Sequence, residues 1–241
     1  MPANAHTPVI EIGPGKGALT EELLAIANHT PTIEKVIAIE VDPVLVHYLQ
    51  QKFAEHINAG KLVIVEGDVL STDLRPFGES PIICGNLPYY ITSPILEKVF
   101  SLRGAWKRAV FLVQAEVAER VAAVPGTRDF GYLSVLAQVQ TYVENLFPVS
   151  RDAFKPPPKV DSAVIRLTPR PLTLADFDGF IRFAQLCFRQ KRKTLRNNLA
   201  DKYGKEVVDG LAEAKSRAEQ LSVAELISLY EKLPGLTTDS H

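Results

Sequence analysis

The sequence predicts an α/β protein, a doubly wound and mostly parallel sheet followed by a small helical domain, and three observations carry that prediction. Short apolar runs alternate with helical stretches through the first half of the chain. Gly13, Glu40, Asp68 and Asn86 each stand at the C-terminal end of one such run, where open α/β sheets bind their ligands. After Pro169-Arg170-Pro171 only helical periodicity remains.

Residues 9–12 are a short apolar run that stops at glycines, as a buried parallel strand does. Residues 18–27 carry apolar positions at helical spacing, with Thr20, Glu21 and Glu22 near the positive end of that helix. A second strand at 36–40 precedes a helix at 43–53, which opens on Pro43 and takes Asp42 as its N-cap. Residues 62–65, 81–85 and 109–113 read as further buried strands, and 93–101 and 115–121 as helices. Past Val139 the pattern changes. Residues 140–147 and 162–168 read as two extended segments of a hairpin, joined through Pro156-Pro157-Pro158. Helical periodicity then occupies 177–189, 193–200 and 224–232. The domains are placed at 1–169 and 170–241, with a frayed tail at 237–241.

The net charge of −1 does not announce a nucleic-acid partner, so any such contact must come from a local patch. Cys84 and Cys187 stand far apart with no metal-ligand spacing, so neither a disulfide nor a metal site is expected, and a reducing compartment is the default. No run of about 18 apolar residues offers a membrane span. The first residues lack the basic and apolar regions of a signal peptide, and a cytoplasmic monomer is expected.

Glu11-Ile12-Gly13-Pro14-Gly15-Lys16-Gly17 is a G-x-G-x-G turn preceded by an acid, distinct from the G-x-G-x-x-G of nicotinamide enzymes. Glycine lets the chain turn sharply and lets a cofactor lie against bare backbone. A ligand-free strand-to-helix turn would use the same residues. Glu40 stands where a ribose-binding carboxylate belongs, with a surface or capping acid as its alternative. Asp68, in Glu66-Gly67-Asp68-Val69, offers an acceptor for an adenine amine, or ordinary turn chemistry.

Asn86-Leu87-Pro88-Tyr89 is more specific. The Asn86 side-chain carbonyl and the Leu87 main-chain carbonyl can each accept one hydrogen of an exocyclic amine. That favours a pyramidal nitrogen with its lone pair aimed at an electrophilic methyl, and needs no general base. Pro88 stiffens the turn, Tyr89 can stack on an extruded base, and Tyr90 reads as a packing residue. Phe154-Lys155-Pro156-Pro157-Pro158-Lys159-Val160 is either a polyproline-like linker or, through Phe154, the second wall of a base sandwich. The glycine turn and Asn-Leu-Pro-Tyr together, in this order, predict an S-adenosyl-L-methionine-dependent amino-group methyltransferase with a Rossmann-like class I sheet. The densest basic cluster, Arg189, Lys191, Arg192, Lys193 and Arg196, is helped by Lys202 and Lys205. It reads as a solvated helix face or as a phosphate contact.

These motifs, with Lys159-Val160-Asp161-Ser162 and Arg192-Lys193-Thr194-Leu195-Arg196-Asn197-Asn198, resemble the bacterial small-subunit rRNA adenine dimethyltransferases, the group that confers kasugamycin sensitivity. The resemblance runs from Val9 to the C-terminus. It implies N6,N6-dimethylation of two adjacent adenosines in the 3′-terminal hairpin of 16S rRNA, with S-adenosyl-L-methionine as methyl donor. It further implies a pre-30S or 30S subunit as partner and a part in small-subunit assembly. By motif it implies Glu11, Gly13, Gly15, Glu40, Asp68 and Asn86 at the cofactor, and Asn86, Leu87, Pro88, Tyr89 and Phe154 at the target base. Arg189, Lys191, Arg192, Lys193 and Arg196 would then contact RNA. Family members carry a longer segment ahead of the first strand, with a Gly-Gln-Asn-Phe-Leu-type run. For the sequence as given this leads to an expectation of weaker cofactor binding and a more open site.

The nearest rival is the related 23S rRNA dimethyltransferase of macrolide resistance, against which the Arg-Lys-Thr-Leu-Arg-Asn-Asn run argues. A ribosome-assembly factor that binds the small subunit without catalysis is the rival of another class.

Overall fold

The computed structural model of the chain describes residues 7–30, 32–172 and 174–234, so the tail expected at 237–241 lies outside the described residues. A seven-stranded sheet runs in the order β3-β2-β1-β4-β5-β7-β6. Strands β1 (Thr7–Ile12), β2 (Ile33–Glu40), β3 (Leu62–Glu66), β4 (Ile82–Asn86) and β5 (Arg108–Gln114) are parallel. Strands β6 (Thr141–Val149) and β7 (Ser162–Pro169) form the expected hairpin, and β7 joins β5 antiparallel, which makes the sheet mixed. Burial on both faces explains the unbroken apolar runs. β1 is buried at every position, and Ile10, Ile37 and Ile83 are essentially inaccessible.

Helices α1 (Ala18–His29), α2 (Pro43–Lys52), α3 (Ala54–Asn58), α4 (Thr92–Ser101) and α5 (Ala115–Ala122) connect these strands. The Asp42 carboxylate accepts the Val44 amide at 2.8 Å with Pro43 at the first helical position, so α2 starts as its sequence dictates. The expected helix 43–53 stops one residue earlier. Phe53 is buried at its end, and the short α3 follows.

From β1 the chain moves outward to β2 and β3, then crosses back to β4 on the other side of β1. Strand order therefore reverses between β1 and β4, and the crevice beyond their C-terminal ends is the natural ligand position.

Two compact units result. One comprises the chain through Ala118 together with Thr141–Arg170, and the other comprises Glu119–Gln140 together with the residues from Pro171 onward. The division at 169/170 read from sequence leaves residues 119–140 in the first domain. The structure groups them with the helical unit because Phe130, Val135 and Val139 share one apolar cluster with Phe180, Phe183 and Leu226. That unit holds α6 (Tyr132–Gln138), α7 (Phe177–Phe188), α8 (Leu195–Tyr203), α9 (Lys205–Asp209) and α10 (Val223–Lys232). Helix α6 goes beyond the sequence expectation. It buries Ser134, Val135, Leu136 and Ala137 in succession, which leaves no polar face to give an amphipathic period. Helix α8 begins at Leu195 rather than at 193, so Lys193 belongs to the turn before it.

Candidate active site

Asp68, Glu40, Gly13 and Asn86 follow or end β3, β2, β1 and β4, which lie side by side in that order. The row expected from sequence is thus one edge of one sheet.

Gly13 and Gly15 adopt φ of +67° and +58°, and a Cβ on either would meet nothing within 4 Å. Glycine is needed there for the backbone conformation, while the space beside the turn stays open. The Gly13 amide donates to the Ile39 carbonyl at 3.0 Å and fastens the turn to β2. Glu40 is nearly buried, and three amides hold its carboxylate. Val41 and Asp42 donate to Oε1 at 2.9 and 3.1 Å, and Gly15 donates to Oε2 at 3.1 Å. The capping role that was the alternative for Glu40 belongs to Asp42. Oε1 thus has both lone pairs engaged, and Oε2 retains one for a hydroxyl donor. The Asp68 carboxylate accepts the Leu70 amide at 2.9 Å, so its turn chemistry is realised, at an exposed position beside β2.

Glu11 lies inside the protein at 1 % exposure, where its Oε2 accepts the Thr20 hydroxyl at 2.7 Å. Burial pushes its pKa up to about 7; the Thr20 bond opposes this and the charge of Glu40 adds to it. Burial also pushes the neighbouring Cys84 thiol up to about 12, with Glu11 contributing, which makes it inert.

A folded-state pKa of about 7 against 4.5 means that the folded chain holds this proton more tightly than the unfolded one. Below the unfolded value the two states bind it equally. Stability should fall as pH rises through the window from 4.5 to about 7 and stay level above it, a loss of up to about 3 kcal/mol. Glu11→Gln keeps the acceptor for Thr20 and removes the charge. The cofactor-free variant is therefore expected to lack this slope and to be the more stable protein at pH 8. Urea unfolding across that range checks it, and parallel curves for the two proteins would contradict the assignment.

Asn86, Leu87, Pro88, Tyr89, Phe154, Pro156 and Pro158 line a cleft of about 270 Å3. The stretch 154–158 is therefore more than a linker: every second residue of it faces the Asn-Leu-Pro-Tyr turn. The Leu87 amide donates to the Leu112 carbonyl of β5 at 3.0 Å, which fixes the peptide plane. Pro88 brings no amide hydrogen of its own, and its carbonyl accepts the Ile91 amide at 3.2 Å and the Thr92 hydroxyl at 3.0 Å. Among the described residues nothing donates to the Leu87 carbonyl. Tyr89 Oη and Ser162 Oγ are 2.7 Å apart, and Ser162 is fully buried at the start of β7. Sequence reasoning misses Ser162 because the partners are 73 residues apart and a lone serine carries no pattern. Tyr90 corrects an expectation: it is no packing residue but stands 84 % exposed.

A larger cavity of about 450 Å3 on the same sheet shares Asn86 but is otherwise walled by side chains such as Val9, Leu23, Val110 and Leu112. It offers a base little to hydrogen-bond.

In the helical unit the basic cluster divides. The Arg196 guanidinium forks onto the Asp209 carboxylate, Arg189 approaches Asp201 at 3.5 Å, and the Lys191 ammonium donates to the Arg128 carbonyl. Arg192 and Lys193 are exposed on the turn between α7 and α8, and their side chains make no ion pair among the described residues. Asn198 holds that turn: buried, it donates to the Cys187 and Gln190 carbonyls at 2.8 and 3.2 Å.

A family profile described as "Ribosomal RNA adenine dimethylase" matches residues 3–234. Proteins named ribosomal RNA small subunit methyltransferase A are similar over most of their length. The one from Chlorobium chlorochromatii is 44% identical over 232 residues, covering 95% of this chain and 83% of that protein. The one from Thermotoga maritima is 41% identical over 224 residues, covering 93% and 74%. Among solved structures, a dimethyladenosine transferase from Plasmodium falciparum superposes with a TM-score of 0.77 at 28% identity, covering 94% of this chain and 89% of that one. The 23S rRNA methyltransferase ErmE gives 0.65 at 29% identity, covering 95% and 92%.

Proposed function

This chain belongs to the family of ribosomal RNA adenine dimethylases, and from that premise we propose that it dimethylates N6 of two adjacent adenosines in the 3′-terminal hairpin of 16S rRNA within a pre-30S or 30S subunit. It has the class I methyltransferase fold, and its methyl donor is S-adenosyl-L-methionine. That cofactor supplies a methyl group on a sulfonium, electrophilic enough for an amine to take without a base. The cleft where Asn86–Tyr89 faces Phe154 beside the sheet's switch point carries the reading.

The residues suit such a cofactor. The open glycine turn at Gly13 and Gly15 admits a group against its backbone, and Glu40 holds a fixed carboxylate toward ribose hydroxyls. Asp68 is the acceptor for the adenine amine, and Glu11, once ionised above its raised pKa of about 7, adds negative potential beneath the turn for a cationic ligand. At the target, the Asn86 side-chain carbonyl and the Leu87 main-chain carbonyl take the two N6 hydrogens. This draws the nitrogen lone pair out of conjugation and aims it. Tyr89 stacks on the extruded base in an orientation held by Ser162, and Phe154 closes its other face. Arg192 and Lys193, exposed on their turn, contact phosphates, with Lys191 beside them. Arg189 and Arg196 first have to leave Asp201 and Asp209. No described helix is long and apolar enough to cross a membrane. We place the enzyme in the cytoplasm as a monomer acting in small-subunit biogenesis.

Incubation with methyl-labelled S-adenosyl-L-methionine and small subunits lacking these methyl groups tests the proposal. Digestion and mass spectrometry should find dimethyladenosine confined to the 3′-terminal hairpin. Dimethylation of 23S rRNA instead, or tight subunit binding without any methyl transfer, would overturn it.

A further inference from the structure

Tyr90 is the most exposed large apolar side chain among the described residues, at 84 %, and it adjoins the cleft residue Tyr89 in sequence. Its neighbours explain why it is held out. The Ile91 amide and the Thr92 hydroxyl both bond to the Pro88 carbonyl, and Ile95 continues the ladder by donating to Ile91. The segment from Pro88 into α4 is therefore a fixed turn and not a loop that could tuck the ring away. Tyr89 points inward onto Ser162 while the next residue points to solvent. This leaves an aromatic face in water one residue along the chain from the wall of the cleft. On the segment that forms the other wall of the cleft, Lys155 and Lys159 are exposed and interleave in sequence with the lining Phe154, Pro156 and Pro158.

We infer that Tyr90 is the stacking platform for the nucleotide next to the one held in the cleft, a single-stranded purine or pyrimidine whose flanking phosphates lie toward Lys155 and Lys159. The inference rests on the proposed rRNA substrate and adds to it a second base site. The two tyrosines are consecutive in the chain, as an extruded base and its neighbour are consecutive in the strand. Stacking asks only for a π-face, so the platform accepts whichever base lies on that side of the target, whether the second adenosine or the nucleotide beyond the pair, as the two adenosines react in turn. It also accounts for an exposed ring whose hydroxyl has no partner among the described residues.

The test compares Tyr90→Ala, Tyr90→Phe and Tyr90→Trp with the unaltered chain by two readouts. In methyl transfer to small subunits, Tyr90→Ala should lose roughly tenfold in kcat/KM, the loss of one base–aromatic stack. Tyr90→Phe and Tyr90→Trp should stay near the unaltered value, and S-adenosyl-L-methionine affinity should not move in any of them. In the second readout a hairpin carrying 2-aminopurine beside the target adenosine is bound without turnover. Its fluorescence should be quenched by the unaltered, Phe and Trp proteins and not by Tyr90→Ala. Equal quenching with alanine overturns the inference, as does a Phe variant that falls as far as alanine. If the unaltered chain forms no dimethyladenosine while quenching still depends on Tyr90, the proposed reaction fails and the stacking site stands.

Discussion

Asn86→Ala is expected to fold and bind RNA normally yet to transfer methyl groups about a hundred- to a thousandfold more slowly, the range for removing one preorganised polar group from a transition state. The side chain is exposed at the last position of β4, so its truncation leaves neither a core cavity nor a stranded buried donor. The adenosine amine would then be held by the Leu87 carbonyl alone, free to lie flat with its lone pair in the ring. Asn86→Asp keeps an acceptor oxygen in the same place and should recover part of the rate, which a purely steric account of Asn86 does not require. Single-turnover transfer to small subunits at saturating cofactor isolates the chemical step. A rate for Asn86→Ala within threefold of the unaltered enzyme would remove Asn86 from the reaction.

Much of this site is legible in the amino-acid sequence because its residues sit at strand ends, and strand ends are marked by apolar runs that stop. That rule alone puts Gly13, Glu40, Asp68 and Asn86 on the edge where the fold holds them. What the sequence hides depends on where side chains point and on contacts between distant segments. Ser162 meets Tyr89 across the hairpin connection, and nothing local announces it. Tyr90 reads as a packing residue by composition, and only the fixed turn from Pro88 reveals that it faces water. Glu11 reads as a ligand by position, although its carboxylate is turned inward to Thr20. Helix α6 lacks an amphipathic stripe because its successive residues are buried. The same burial is why residues 119–140 belong to the helical unit. The basic cluster reads as one charged face, and the fold splits it into arginines facing acids and an exposed pair on a turn.

The residue before Asn86 should be the least tolerant position of the site, and for a reason opposite to that of the glycine turn. At Gly13 and Gly15 the backbone angle demands glycine and the surroundings are open. At Gly85 the angle is unremarkable, but a Cβ would lie 2.4 Å from the Ile12 carbonyl oxygen and 3.3 Å from its carbon. Both are main-chain atoms, so no rotamer change relieves the clash; β1 and β4 themselves must part. Strand β4 is also pinned on its other side, where Gly85 pairs with Phe111 of β5, a fully buried residue. Overpacking a core typically costs about 1–3 kcal/mol when side chains can yield. Gly85→Ala, with only backbone to move, should lie at or above the top of that range. For a chain of this size that lowers Tm by roughly 6–12 °C. The shift also separates Gly13 from Asn86, the two sides of the switch point, so the folded fraction should lose cofactor affinity and methyl transfer together. Thermal unfolding and cofactor titration at a temperature where the variant is fully folded would measure the two effects apart. A variant with unchanged Tm and unchanged affinity would show that β1 and β4 do not meet as closely at this point as Gly85 and Ile12 indicate.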